Sequence, residues 1–186
     1  MLPIDPLEHH GDWECPECHA KVNGFTVHAL VRELQNEAES IKPISPVEIE
    51  DFIAKLCKTL HPNHYVVIGL KRKLLDVYRL TPDPEDPGQL RSKLERMLET
   101  GRQVLDVVSV IEPELSLNKG RLLRNLHGPT LRLAKLNLNE KKITMAEFLG
   151  ITKQSIKNMK AAVKCLEDFD LFYVASAGSN VASQTD

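Results

Sequence analysis

The stretch 45-SPVEIEDFIAKLCKTLHPNHYVVIGLKRKLLDVYRL-80 decides the fold class. Within it Ile49, Phe52, Ile53, Leu56, Cys57 and Leu60 recur at i, i+3 and i+4, the period of a helix face and not the alternation of a strand. Ser45 offers a side-chain oxygen to the open amides of a helix start, and Pro46 suits a first turn where its missing N–H costs nothing. A helix over about 46–60 is therefore expected. A second is expected to restart at His61, with Pro62 at its first position and Val67, Leu70, Leu74, Val77 and Tyr78 as its apolar stripe. The run 81-TPDPEDPG-88 ends it, because three prolines and a glycine in eight residues cannot continue a helix.

The helical period extends in both directions. Upstream, a helix is expected over about 26–40. Downstream, Leu90, Leu94, Met97, Leu98, Val104, Leu105, Val108 and Ile111 share one face of a helix over about 89–111. Leu122, Leu126, Leu133 and Leu136 mark another, whose course 127-HGPT-130 should disturb. The run 144-TMAE-147 reads as a capping box, and Ile156, Met159, Val163, Leu166 and Phe169 form the face with which the last helix should meet the one before it. The expected architecture is all-α: antiparallel helical hairpins in a TPR-like array, preceded by a short irregular cysteine-containing segment. The expected divisions are 1–23, 24–172 and a flexible tail over 173–186. No strict 34-residue self-similarity is present, so the array is repeat-like only.

Charge is distributed unevenly along the 186 residues. Residues 1–51 hold 11 acids and 3 bases, residues 52–164 hold 11 acids and 21 bases, and the remainder holds 4 acids and no base. A basic middle of this kind suits an acidic partner or the acidic end of the same chain. Lys71, Arg72, Lys73, Arg121, Arg124 and Arg132 are the bases expected to make one helical face positive. No run of about 18 apolar residues is present, and the proline-broken, acidic 1-MLPIDPLEHHGDW-13 lacks the pattern of a signal peptide. A reducing cytosolic or nuclear compartment is expected, with the four cysteines as thiols or metal ligands.

The segment 13-WECPECHAK-21 admits three chemistries. A haem attachment box needs export to an oxidising compartment, and no such address is visible. A redox dithiol needs its CxxC at a helix start after a strand, and no strand pattern precedes Cys15. Cys15 and Cys18 as thiolates would supply half of a tetrahedral zinc shell, with His9, His10 and His19 as weak local substitutes for the missing ligands. Elsewhere, His61 and His64 stand three apart and either share a metal or serve the helix entry. Cys57 and Cys165 fall on apolar faces and read as buried thiols. Residues 144–166 also allow a helix-turn-helix with its turn at Gly150, in which Lys153, Gln154, Ser155 and Lys157 would face DNA. Its recognition helix contains no arginine or aromatic residue, so base reading there is thin and nucleic acid is not the expected partner.

Two stretches, 60-LHPNHYVVIGLKRKLLDVY-78 and 110-VIEPELSLNKGRLLRNLHGPTLRLAK-135, resemble the C-terminal helical region of the SET-and-MYND (SMYD) protein-lysine methyltransferases. There a Leu-His-Pro-x-His-Tyr block and a later P-x-L-S-x-x-(R/K)-G-x-L-L-x-x-L block recur in a TPR-like array. The segment 2-LPIDPLEHHGDWECPECHAKV-22 is similar to a cysteine-bearing segment that follows the family's SET core. The likeness implies a region of a larger enzyme, with the other zinc ligands and the S-adenosylmethionine site upstream of Met1. The family's Asn-His-x-Cys segment, glycine-bearing cofactor loops and MYND cysteines do not occur in these residues. By the resemblance, then, the chain should not methylate alone. It should act as a wall beside the SET domain that limits which protein or peptide substrate, histones among them, reaches the lysine channel.

Overall fold

The computed structural model describes residues 2–5, 7, 8, 11–40, 45–112 and 116–181, with side chains described up to residue 167. Among them lie three two-residue strands, β1 (Leu2–Pro3), β2 (Trp13–Glu14) and β3 (Lys21–Val22). Six helices follow: α1 (Gly24–Ser40), α2 (Pro46–Leu56), α3 (Tyr65–Leu80), α4 (Pro87–Ile111), α5 (Leu117–Asn139) and α6 (Met145–Val181). The helical reading thus holds, while the N-terminal segment is more ordered than expected. Its strands form one antiparallel sheet in the order β1-β2-β3, with Trp13 opposite both Pro3 and Val22. Two-residue strands are too short to show alternation, so no strand signal reached the sequence pattern.

The chain divides into two units, Met1–Leu70 and Lys71–Asp186. The division lies within α3, whereas the boundary expected near residue 23 coincides with the junction of β3 and α1. In the first unit, Ala38 of α1, Leu56 of α2, and Val66, Val67 and Leu70 of α3 form a buried cluster, with Val31, Leu34, Phe52, Ile53 and Cys57 packed against it. Ser45 accepts from the Glu48 N–H at 3.3 Å, as the cap reading required. α2 then ends at Leu56 and not near residue 60: a turn follows in which the Thr59 and Leu60 amides both return to the Leu56 carbonyl, tucking Leu60 into the core.

α3 starts at Tyr65, four residues later than expected, and Pro62 lies outside it. The reason is local: a residue before proline avoids helical geometry, and the histidine rings take up the free amides instead. His61 Nδ1 accepts from the Asn63 N–H at 3.1 Å, and His64 Nδ1 accepts from the Val66 N–H at 3.4 Å. Both rings therefore serve the helix entry as acceptors through Nδ1. Partial burial lowers the His64 pKa and favours its neutral form.

In the second unit α4 packs on α5 and α5 on α6, with Leu94, Met97, Val104, Leu122, Leu126 and Ala162 among its buried residues. Asp86 and Ser116 cap α4 and α5. α5 continues through Pro129, so the 127–130 run does not end the helix. Gly128 removes the Cβ that would press on the proline ring, and the Thr130 hydroxyl donates to the Leu126 carbonyl at 2.7 Å. The helix ends at Asn139 with Glu140 as its cap, and the φ of 57° at Lys141 lets the Lys142 amide return to the Asn137 carbonyl, a Schellman ending built without glycine.

Thr144 and Glu147 form the expected capping box: Thr144 Oγ1 accepts from the Glu147 N–H at 3.2 Å and Glu147 Oε2 accepts from the Thr144 N–H at 2.7 Å. From there α6 is one continuous helix through Gly150, so the turn that a helix-turn-helix requires is absent. An interior glycine weakens a helix by only about 1 kcal/mol, which packing on α5 readily outweighs. The packed face of α6 also differs from expectation. Ser155, Ala162 and Cys165 are buried, while Ile156 and Val163 lie exposed. Two apolar stripes run side by side on this helix, and the smaller residues face inward because Gly120 of α5 admits close approach. A Cβ at Gly120 would lie 2.9 Å from the Cys165 Cβ and 3.1 Å from the Ala162 carbonyl oxygen. The backbone of α6 continues past residue 173, where the tail was expected to begin, and residues 182–186 lie outside the described ones.

Candidate functional site

The strongest candidate is an arginine-lined cleft in the second unit. α3 contributes Arg72, Asp76 and Arg79, one helix face at i, i+4 and i+7. α5 contributes Asn118, Arg121 and Arg124, while Val104 and Val108 of α4 add apolar surface to a cleft of about 250 Å³. Two of the guanidiniums are positioned by neighbours. Arg72 Nη2 donates to Asn118 Oδ1 at 2.6 Å, and Asn118 Nδ2 in turn donates to Glu112 Oε1 at 3.0 Å. Arg79 Nη2 stands 3.4 Å from Asp76 Oδ1. Arg121 and Arg124 are exposed and make no ion pair among the described residues. Four guanidinium forks over a partly apolar floor, with Asp76 the one carboxylate in the lining, are suited to hold carboxylate or phosphate groups bidentately.

The bases singled out from the sequence are thus separated by the fold. Arg72, Arg121 and Arg124 converge on the cleft, and Arg79 joins them. Its signal was present in the seven-residue spacing from Arg72, which places both on one helix face. Lys71 is buried with 6% of its surface exposed, and Lys73 does not line the cleft. Arg132 is committed elsewhere: together with Lys93 it clamps Asp83, and these two cations hold the Asp83 carboxyl below its ordinary range, Arg132 foremost.

The cysteine segment is a hairpin turn between β2 and β3. The Cys15 N–H donates to the Ala20 carbonyl and the His19 N–H to the Cys15 carbonyl, both at 2.9 Å, with His19 at φ 56°. A strand does precede Cys15, but the CxxC occupies the turn and no helix starts there, which removes the setting of a redox dithiol. The Cys18 amide, followed by that of Glu17 and the Cys18 side chain, favours the Cys15 thiolate and lowers its pKa. Cys15 is half-buried and Cys18 exposed in this turn, and these two are the zinc ligands expected from the sequence. His19 Nδ1 is 2.6 Å from Glu14 Oε1. Among the described residues no third donor gathers with the two thiols, and His9 and His10 lie outside those residues.

His127 Nδ1 and the Ser155 hydroxyl are 2.8 Å apart, a bond between α5 and α6 that turns Ser155 inward and away from any DNA groove. Lys153 and Lys157 remain exposed. Cys165 is buried as expected, whereas Cys57 is only half-buried, packed against the edge of the first unit's core. No helix among the described residues is long and apolar enough to cross a membrane. No protein-family model, curated protein or solved structure matches the chain.

Proposed function

We propose that this chain is a helical protein-interaction region, the TPR-like C-terminal part of a SMYD-like protein-lysine methyltransferase, and that its arginine cleft receives an acidic segment of a protein partner or substrate. The sequence support is the His-Pro-Asn-His-Tyr and Pro-Glu-Leu-Ser blocks. The observation that carries the interaction role is the convergence of Arg72, Arg79, Arg121 and Arg124 on one cleft. On this reading the region governs substrate access in a cytosolic or nuclear enzyme and transfers no methyl group alone. S-adenosylmethionine binds elsewhere in the parent, and zinc is held by Cys15 and Cys18 with ligands from outside the described residues.

The affinity comes from charge-assisted, bidentate hydrogen bonds that several arginines make at once. Single exposed ion pairs contribute only about 0.2–1 kcal/mol, so a cluster is needed for a measurable complex. Fluorescence anisotropy with a labelled glutamate- and aspartate-rich peptide tests this. The double variant R121E/R124E should weaken binding by about tenfold or more, from two to three lost pairs. Equal binding of a glutamine- and asparagine-substituted peptide would overturn the acidic-partner reading.

A further inference from the structure

α6 carries a second apolar seam that the cleft does not use. Met145, Leu149, Thr152, Ile156, Met159 and Val163 follow one another at alternating steps of four and three, the heptad spacing by which one helix receives another. Within the folded chain this seam is open: Met145 is 59% exposed, Leu149 50%, Ile156 46% and Val163 43%. Its C-terminal half is a shallow groove of about 360 Å³, lined by Ile156, Met159, Val163, Lys160 and Lys164 of α6 with His127 of α5 at one edge.

Charge identifies the occupant. Beside the seam run Lys153, Lys157, Lys160 and Lys164, all exposed and none ion-paired to a described side chain, and Lys160 and Lys164 reach the groove lining itself. Glu167 is the one carboxylate in the groove lining. A second copy of α6 laid on the seam would bring two lysine rows together, a like-charge juxtaposition that disfavours pairing. An interfacial membrane helix is anchored by Trp, Phe or Leu along its apolar face, whereas of these the seam carries Leu149 alone.

We infer that α6 is a docking surface for an amphipathic helix of a protein partner, one with an apolar stripe at heptad spacing and acidic residues along its flank. The partner's stripe would enter this groove, and its carboxylates would meet the lysine row. This surface is independent of the arginine cleft and does not rest on the proposed methyltransferase setting.

Two synthetic helical peptides test it against the full chain by calorimetry. Both carry leucine at the seam positions, one with glutamate and the other with lysine at the flanking positions. The glutamate peptide should bind at least tenfold more tightly, I156D should abolish the complex, and K153E/K157E/K160E/K164E should reverse the preference. Reversal is the deciding readout, since damage to the fold would remove binding of both peptides. Equal affinity for the two peptides, absence of any complex, a sedimenting dimer that I156D dissociates, or capture by phosphatidylserine vesicles without the peptide would each overturn it.

Discussion

At the scale of single residues, Gly120 and Gly101 make a controlled comparison. Both are buried helix glycines, where alanine would ordinarily add about 1 kcal/mol of helix stability. At Gly101 a new Cβ meets Cδ2, Cδ1 and Cγ of Leu126, side-chain atoms that can shift without moving either backbone. At Gly120 it meets the Cys165 Cβ and the Ala162 backbone oxygen, which move only if the helices separate. G120A should therefore destabilise by about 1–3 kcal/mol and G101A by distinctly less, measured by urea unfolding. Residue roles were legible where the signal is local. Ser45, Thr144 and Glu147 were readable as caps because a cap needs only its own first turn. The inward turn of Ser155 was not readable, because its partner His127 lies 28 positions away in sequence. Cys15 and Cys18 were readable as a pair, and only the folded turn shows the amides that favour the thiolate.

Elements were legible in kind and less so at their ends. Hydrophobic spacing located the helices from α2 onward, but it ran on through Leu60, which is buried by a turn and not by helix, and it passed over the histidine rings that delay α3. On α6 the same spacing pointed to the wrong stripe, since two faces carry the period and the choice between them was made by a glycine on α5. The ties between elements are ionic as well as apolar. Arg91, near the start of α4, reaches Glu140 at the end of α5 at 2.6 Å, and Lys142 lies 2.9 Å from the same carboxylate. These cations, Arg91 foremost, hold the Glu140 pKa down at about 2. A depressed folded-state pKa means that the folded chain binds fewer protons than the unfolded one. The contribution is then complete above the ordinary value of 4.5 and is lost as pH falls from there towards about 2. Thermal melts at stepped pH should show E140Q less stable than the parent near neutrality, with the difference closing across that window. A difference that persists at pH 2 would place the effect outside this ion pair.

For the molecule as a whole, the helical class and the cysteine pair were visible in sequence, whereas the hairpin that carries the pair and the division within α3 were not. Nothing in the stripe of that helix marks where one set of neighbours gives way to another, because a residue's apolarity does not say which core it enters. The cleft was half visible: the arginines could be counted, but their convergence depends on how α3 and α5 meet. The cysteine hairpin supplies two ligands where a closed structural zinc shell needs four. A complete structural site contributes roughly 10–16 kcal/mol of apparent binding free energy, which could not be silent in unfolding. Zinc should accordingly bind weakly and substoichiometrically to this chain, and a chelator should leave the helical melting transition unmoved. Tight one-to-one binding whose removal melts the helices would sink the half-site reading.

The division at Leu70 and Lys71 also sorts the charge. Met1–Leu70 holds 11 acids and 5 bases, while Lys71–Asp186 holds 15 acids and 19 bases. Near its isoelectric point of about 6.4 the chain is neutral only in sum, being one anionic and one cationic body on a single thread. Neighbouring molecules in dilute buffer then attract each other, the anionic unit of one meeting the cationic unit of the next, despite a net charge near zero. Added electrolyte screens that attraction within about 10 Å at 0.1 M, so ionic strength more than pH sets how concentrated a clear solution of this protein can become.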